Sequence, residues 1–402
     1  MRKFISLLLT LLILSGCWNK QELNEIAISL ALGIDKLEDS YRVTVQVVDP
    51  LQMSLKKNSE RSPVIVVSEQ ADTIFSALRK MTQQTARRIY LSHIHLIVID
   101  EETAKEGIHT ILDLLIRDHE VRPDFQIVIA QDYSALDVLS LITPLEVLPA
   151  LDIYHSIQNS SKNTLNTVNY PIKDVMKSLV KDGTSTVMTA ISIKGDHVQG
   201  KTLDNTSSPV ASTFFKIEKL AVFKKGKLVQ MLSEENSQTY SFIKGEIENG
   251  ILELNCPSTS DKFVLEIIDS NTKLDTSLRN NEQVNITIKV DIDAKLGEIH
   301  CPIDLKNTAS ITELNETTAK HLSEMIEKNV EDIQKNVQTD IFGFGELVHR
   351  EYPTYWKEIK QDWEQYFETR LTTDTAVSVN IKGLGTLVNP SQDILESKID
   401  GS

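Results

Sequence analysis

Residues 94–130 read IHLIVIDEETAKEGIHTILDLLIRDHEVRPDFQIVIA. Two short apolar runs, Ile94 to Ile99 and Phe125 to Ala130, enclose a stretch where Ala104, Ile108, Ile111, Leu112, Leu115 and Ile116 recur at helical spacing. The runs predict buried strands and the stretch between them a helix, which Pro123 closes. Upstream, Val64 to Val67 predicts another strand. From Asp72 the period changes, so that Ile74, Leu78, Met81 and Thr85 share a helical face, with basic Arg79, Lys80, Arg87 and Arg88 in the same stretch. A strand-helix-strand-helix-strand order from about residue 64 to 130 implies an α/β layer rather than a helical bundle.

On the N-terminal side, Ile26 to Asp35 predicts a strand ending in a turn at Gly33-Ile34-Asp35. Tyr41 to Val48 alternates valines with polar residues until Asp49-Pro50, the period-two pattern of a half-buried strand. On the C-terminal side, Ser134 to Ile157 reads as helix broken by Pro144 and Pro149. Gln158 to Asn169 and Lys194 to Pro209 are poor in large apolar residues, and the second marks a candidate domain boundary.

Beyond it, Lys219 to Phe223 and Leu228 to Leu232 flank Lys224-Lys225-Gly226-Lys227, a hairpin signal. Ile251 to Leu254, Phe263 to Ile268 and Val284 to Ile292 extend the strand series. Leu322, Ile326, Val330, Ile333 and Val337 mark a long amphipathic helix over 314–337, and Thr375 to Ile381 a closing strand. The expected fold class is α/β (α+β), a multi-domain chain of mixed sheets flanked by helices. An N-terminal α/β region spans 26–200, a C-terminal α/β domain 210–390, and a tail 391–402.

The first residues supply an address. Arg2 and Lys3 precede an apolar run from Phe4 to Leu14, and Leu14-Ser15-Gly16-Cys17 forms a lipobox. The run is too short for the roughly 20 residues a spanning helix needs. Residues 1–16 are therefore expected to be a lipoprotein signal peptide, cleaved before Cys17. The thiol would carry diacylglycerol, whose two acyl chains anchor stably. Residues 17–25 form the lipidated terminus and tether, and everything after them is an extracytoplasmic ectodomain.

Without the signal, 40 of the 42 basic side chains remain against 57 acidic ones, a formal charge of −17. That balance argues against nucleic acid as a partner and assigns membrane attachment to the acyl chains on Cys17 rather than to a basic patch. Beyond Cys17 the only thiols are Cys256 and Cys301, each followed by proline. Two buried free thiols are the default, and a disulfide in an oxidising exterior is the alternative.

No GxSxG elbow, HExxH, Walker loop or GxGxxG occurs, and Gly343-Phe344-Gly345 lacks the third glycine of a phosphate loop. No catalytic residue, metal or cofactor is expected. His93 and His95, two apart on one strand face, have ligand geometry but no completing partner at reliable spacing, so packing or surface hydrogen bonding competes with a metal role. Arg117, Asp118, Glu120 and Arg122 form a mixed-charge cluster that reads as a solvated salt-bridge network or a partner-docking patch. Tyr352, Tyr355, Trp356, Trp363 and Phe367, with Tyr366, read as core packing or as a sugar- or protein-binding surface.

A family resemblance runs through nearly the whole mature chain. Its motifs are Cys17-Trp18-Asn19 with Glu22-Leu23, Gly33-Ile34-Asp35, His95 to Ile99 with Glu101-Glu102, and Leu115 to Arg122. Leu220 to Phe223, Lys227-Leu228-Val229, and Asp340 to Gly345 with Pro353, Trp356 and Trp363 continue the series. In this order they resemble the C subunit of spore nutrient germinant receptors, the Ger(x)C lipoproteins. Asn19 departs from the aspartate that many relatives carry there.

The resemblance implies a non-enzymatic receptor subunit, lipid-anchored on the outer face of the spore's inner membrane. Its partners would be an A subunit with a membrane portion and a B subunit resembling amino-acid transporters. It also implies three α/β domains, two of them in the N-terminal half. Trp18, Glu22 and Leu23 beside the anchor, with Arg117, Asp118 and Arg122, are the candidate partner contacts. A lipid-anchored solute-binding or hydrolytic lipoprotein is the alternative class.

Overall fold

A computed structural model describes residues 25–49, 61–118, 120–279 and 282–383. β1 (Ile26–Leu37), β2 (Ser40–Val48) and β3 (Val64–Ala71) form an antiparallel meander. α1 (Ile74–Lys80) follows, its first turn capped by Thr73, whose Oγ1 accepts from the Ser76 N–H at 3.2 Å. β4 (Arg88–Tyr90) pairs in parallel with the start of β1. β5 (Leu96–Asp100), β6 (Gln126–Ala130) and β7 (Thr186–Gly195) then extend the sheet in parallel from β1.

Parallel neighbours need crossovers, and helices supply them. α2 (Glu101–Glu106) and α3 (His109–Arg117) link β5 to β6. α4 (Ala135–Leu139), α5 (Pro149–Asn163) and α6 (Ile172–Val180) link β6 to β7. β8 (Thr213–Lys224) and β9 (Lys227–Met231) add an antiparallel hairpin, giving the order β3-β2-β1-β5-β6-β7-β8-β9 with β4 beside β1. Lys225 and Gly226 both take positive φ at its tip, as a two-residue turn matched to strand twist requires.

The chain continues through α7 (Glu234–Lys244) into a second sheet. There β10 (Gly250–Asn255), β11 (Lys262–Arg279) and β12 (Gln283–Ile299) run antiparallel. α8 (Thr308–Asp332), α9 (Phe344–Glu351), α10 (Pro353–Ile359) and α11 (Trp363–Thr369) precede β13 (Thr372–Gly383), which lies parallel to β12. α8 buries Leu314, Leu322, Ile326 and Val330, the stripe its spacing predicts. Cys256 and Cys301, just past β10 and β12, are joined as a disulfide with Cα atoms 5.5 Å apart, so the default of two free thiols does not hold.

The fold class is the mixed α/β arrangement expected, and several local readings change. Gly33-Ile34-Asp35 lies inside β1, and the chain turns instead at Glu38, with φ 24°. The single helix expected over 104–116 is two, because Gly107 adopts φ 129°, a backbone state L residues avoid. Pro149 starts α5, where its missing N–H costs nothing, and α5 runs to Asn163 through part of the expected loop. The long helix leaves α geometry at Asp332, with a π turn over 333–337.

The boundary expected near residues 200–210 falls inside the first sheet. β7 and β8 pair from Thr186–Phe223 to Gly195–Thr213, so the polar segment between them is a surface connection within one sheet. Alternation along β8 also assigns it to two cores. Ala221 and Phe223 pack with the α1–α3 side, while Leu220 and Val222 pack with the second sheet and α8.

Candidate functional site

The family-motif residues Gly33 and Asp35, and Asp340, Gly345 and Trp363, sit at two structural joints. At the first, Asp35 is 2% exposed at the end of α4. Its Oδ2 accepts from the Leu136 N–H at 3.3 Å and from Arg42 Nη2 at 2.9 Å, and its Oδ1 from the Ala135 N–H. The carboxylate thus satisfies donors that the first turn of a helix leaves unpaired, with charge of the sign the helix dipole favours. Gly33 makes room: a Cβ there would lie 3.0 Å from both Ala135 Cβ and Leu139 Cδ1. Asp100 repeats the device at α2, accepting from the Thr103 N–H at 3.0 Å and the Lys36 N–H at 3.3 Å, and burial raises its carboxyl.

The second joint connects the two sheets. Asp340 is fully buried; Oδ1 accepts from the N–H of Phe342 at 3.0 Å and of Gly343 at 2.9 Å, and Oδ2 from the N–H of Gly345 at 2.8 Å. Burial pushes its carboxyl up to about 6 against the pull of these donors. Its carbonyl accepts from the Ser185 N–H at 2.7 Å, and Gly183 accepts from the Glu346 N–H at 3.1 Å. Gly183 and Gly345 touch main chain to main chain, since a Cβ on Gly345 would come within 2.6 Å of Gly183 Cα. Lys181 adds an ion pair to Glu346 at 2.7 Å.

The aromatic group is core. Trp356, Trp363, Tyr366 and Phe367 are buried and distributed over α10 and α11 rather than aligned on one helix. Tyr366 Oη accepts from the Val284 N–H at 2.8 Å, tying α11 to the start of β12. No sugar-stacking platform results.

His93 and His95 precede β5 rather than lying on it. His93 is exposed with its ring edge-on to Tyr90, whereas His95 is half-buried against Tyr154, and burial lowers its pKa. No group of three or more His, Cys, Asp or Glu residues among those described is arranged to hold a metal ion.

The mixed-charge cluster follows α3. Arg117 pairs with Asp113 at 2.8 Å, Arg88 pairs with Glu120, and Asp118 Oδ1 accepts from the Glu120 N–H at 2.9 Å; Arg122 is exposed. Arg88, Arg117, Asp118 and Glu120 form one wall of a groove of about 290 Å³ whose other residues include Phe75, Leu78 and Leu91. Cys17, Trp18, Glu22 and Leu23 lie outside the described residues.

The helix-end and glycine-contact roles of Asp35, Asp340 and Gly183 were not read from the sequence. Asp340 with glycines three and five residues on is the pattern that could have revealed its role: a short acceptor followed by backbone free to turn its N–H groups inward.

The chain is a two-sheet α/β protein whose buried Asp35 and Asp340 carboxylates serve main-chain N–H groups. The chain belongs to the Ger(x)C family of spore germination proteins. Residues 19–193 match the spore germination protein N-terminal domain, and residues 218–385 match the spore germination B3/GerAC-like C-terminal domain. The interval between the matches contains the polar β7–β8 connection. Spore germination protein KC of Bacillus subtilis (strain 168) is 29% identical over 96% of each chain. Spore germination proteins B3 and A3 of the same organism are 24% and 22% identical, each over 96% of this chain and 98% of the relative. The crystal structure of the GerBC protein superimposes with a TM-score of 0.53 over 87% of this chain and 96% of that one at 19% identity, a likeness of fold.

Proposed function

We propose that the chain is the lipid-anchored C subunit of a spore nutrient germinant receptor, working with A and B membrane subunits on the outer face of the spore inner membrane. The end-to-end match to spore germination protein KC carries this reading, since it spans 96% of both chains with nothing of domain size left over. A non-enzymatic role is consistent with Asp35 and Asp340, two buried motif carboxylates whose oxygens are committed to holding backbone and side-chain donors. Among the described residues no helix is long and apolar enough to cross a membrane. The lipobox Leu14-Ser15-Gly16-Cys17 makes Cys17 the residue assigned to attachment.

The test is Cys17→Ala in the native spore former. The variant chain should accumulate folded but leave the membrane fraction, and spores should lose the nutrient response that deletion of the gene abolishes. Normal germination of those spores on every nutrient would remove the functional case for the anchor.

A further inference from the structure

We propose that the face formed by α1, β4 and the segment after α3 is a docking surface for anionic phospholipid headgroups, and that it orients the protein on the membrane. The inference rests on anchoring through Cys17. From Thr73 to Ile99 the chain holds four cations and no carboxylate, although its charge overall is strongly negative, while the segment after α3 sets Asp118, Glu120 and Asp124 beside Arg122. Arg88 and Arg117 have carboxylate partners, Glu120 and Asp113. Arg79, Arg87 and Arg122 make no ion pair among the described residues, and Lys80 donates to the Gln70 carbonyl at 3.2 Å.

Apolar side chains sit among these cations. Phe75 is 47% exposed beneath the Arg79 guanidinium, 4.9 Å from ring centre to Cζ, and Leu78 and Leu114 line the same groove as Arg79 and Arg88. Cations flanking an exposed aromatic ring and aliphatic side chains match a bilayer interface, which offers phosphate oxygens at the surface and acyl chain just below.

Chain length brings this face to the membrane. The Arg88 N–H donates to the Glu25 carbonyl at 2.9 Å, so β4 lies where the chain enters the first sheet. Glu25 is eight residues from Cys17, a span of at most about 28 Å. The protein's general negative charge is repelled by an anionic leaflet while this one face is attracted, and the combination selects a single orientation.

The test uses the full lipidated chain in phosphatidylcholine vesicles with and without phosphatidylglycerol, reading arginine modification by phenylglyoxal residue by residue in mass spectra. Arg79, Arg87 and Arg122 should react about fivefold more slowly on the anionic vesicles, with the difference lost in high salt. Arg279 and Arg350, near the second sheet, should not change. R79Q/R87Q/R122Q should retain the wild-type circular dichroism spectrum and give equal phenylglyoxal reactivity at Arg88 on both vesicles. Equal modification of the wild-type chain while it floats with both vesicles would overturn the proposal. Protection that appears only when the membrane subunits are co-reconstituted, whatever the lipid, would overturn it in favour of an acidic protein partner. A chain that floats with neither vesicle would refute the Cys17 anchor, and the inference with it.

Discussion

The indole N–H of Trp363 donates to Asp340 Oδ2 at 3.1 Å and completes a carboxylate that already holds the main chain of residues 342–345. Aromatic core, loop and inter-sheet joint therefore share one acceptor. Asp340→Ala would leave several buried donors unpaired, and a cost of about 3–5 kcal/mol is expected. Urea unfolding of the protein measures it. A shift worth less than about 1 kcal/mol would mean that water replaces the carboxylate.

The same group sets a pH dependence. Its carboxyl is raised from 3.8 to about 6 by burial, so the folded state holds the proton more tightly than the unfolded chain. Its contribution is then fullest below about pH 4 and is lost as pH rises through about 6, by an amount on the order of 2–3 kcal/mol. The stability of wild type minus that of Asp340→Asn should decline across this window. A difference that stays flat, or rises, contradicts the assignment.

Gly345→Ala and Gly245→Ala separate crowding from backbone strain. A Cβ at Gly345 would meet Gly183 Cα and Trp363 Cε2, both at 2.6 Å, with no yielding side-chain tip on the Gly183 side. Gly245 has φ +67° and nothing within 4 Å of the point where a methyl would stand. The first substitution should cost more than about 3 kcal/mol and loosen amide protection at 183–185, the second only about 1 kcal/mol. Equal costs would show that the main-chain contact at the joint is dispensable.

Cys256 and Cys301 close a loop with a sequence separation of 45 between the ends of β10 and β12. The double substitution Cys256→Ala, Cys301→Ala should lower stability by about 3–4 kcal/mol through the freedom returned to the unfolded chain. The loss should appear first as faster amide exchange in β10, an edge strand of its sheet. Thiol titration of the unreduced, denatured protein gives an independent reading, with neither Cys256 nor Cys301 reactive.

Periodicity revealed the elements whose faces are one-sided. The α8 stripe was legible because one face meets a core and the others solvent. The valine alternation of Tyr41 to Val48 marked a strand, but Thr44 and Gln46 are buried as well, so β2 is covered on both faces and is not the half-buried strand expected. α6 and α7 went unread. α7 buries Asn236, Ser237, Thr239 and Ser241 together with Tyr240, Phe242 and Ile243, so polar and apolar residues share its buried surface and no clean apolar stripe marks it. The expected boundary near residues 200–210 landed within a sheet for a related reason: β8 is apolar on both faces where it matters, and only long-range pairing with β7 shows that it closes the first sheet. At the joints the motif residues were visible as letters, but Asp35 reaches a helix 100 positions away and Asp340 meets Trp363 across a separation of 23, contacts no local pattern encodes.

β8 has a mechanical consequence. Because Ala221 and Phe223 are held in one core and Leu220 and Val222 in the other, the strand is a common beam built into both halves. Packing that holds one strand in both cores ties the two halves together, so a rotation of the first sheet would carry the second with it.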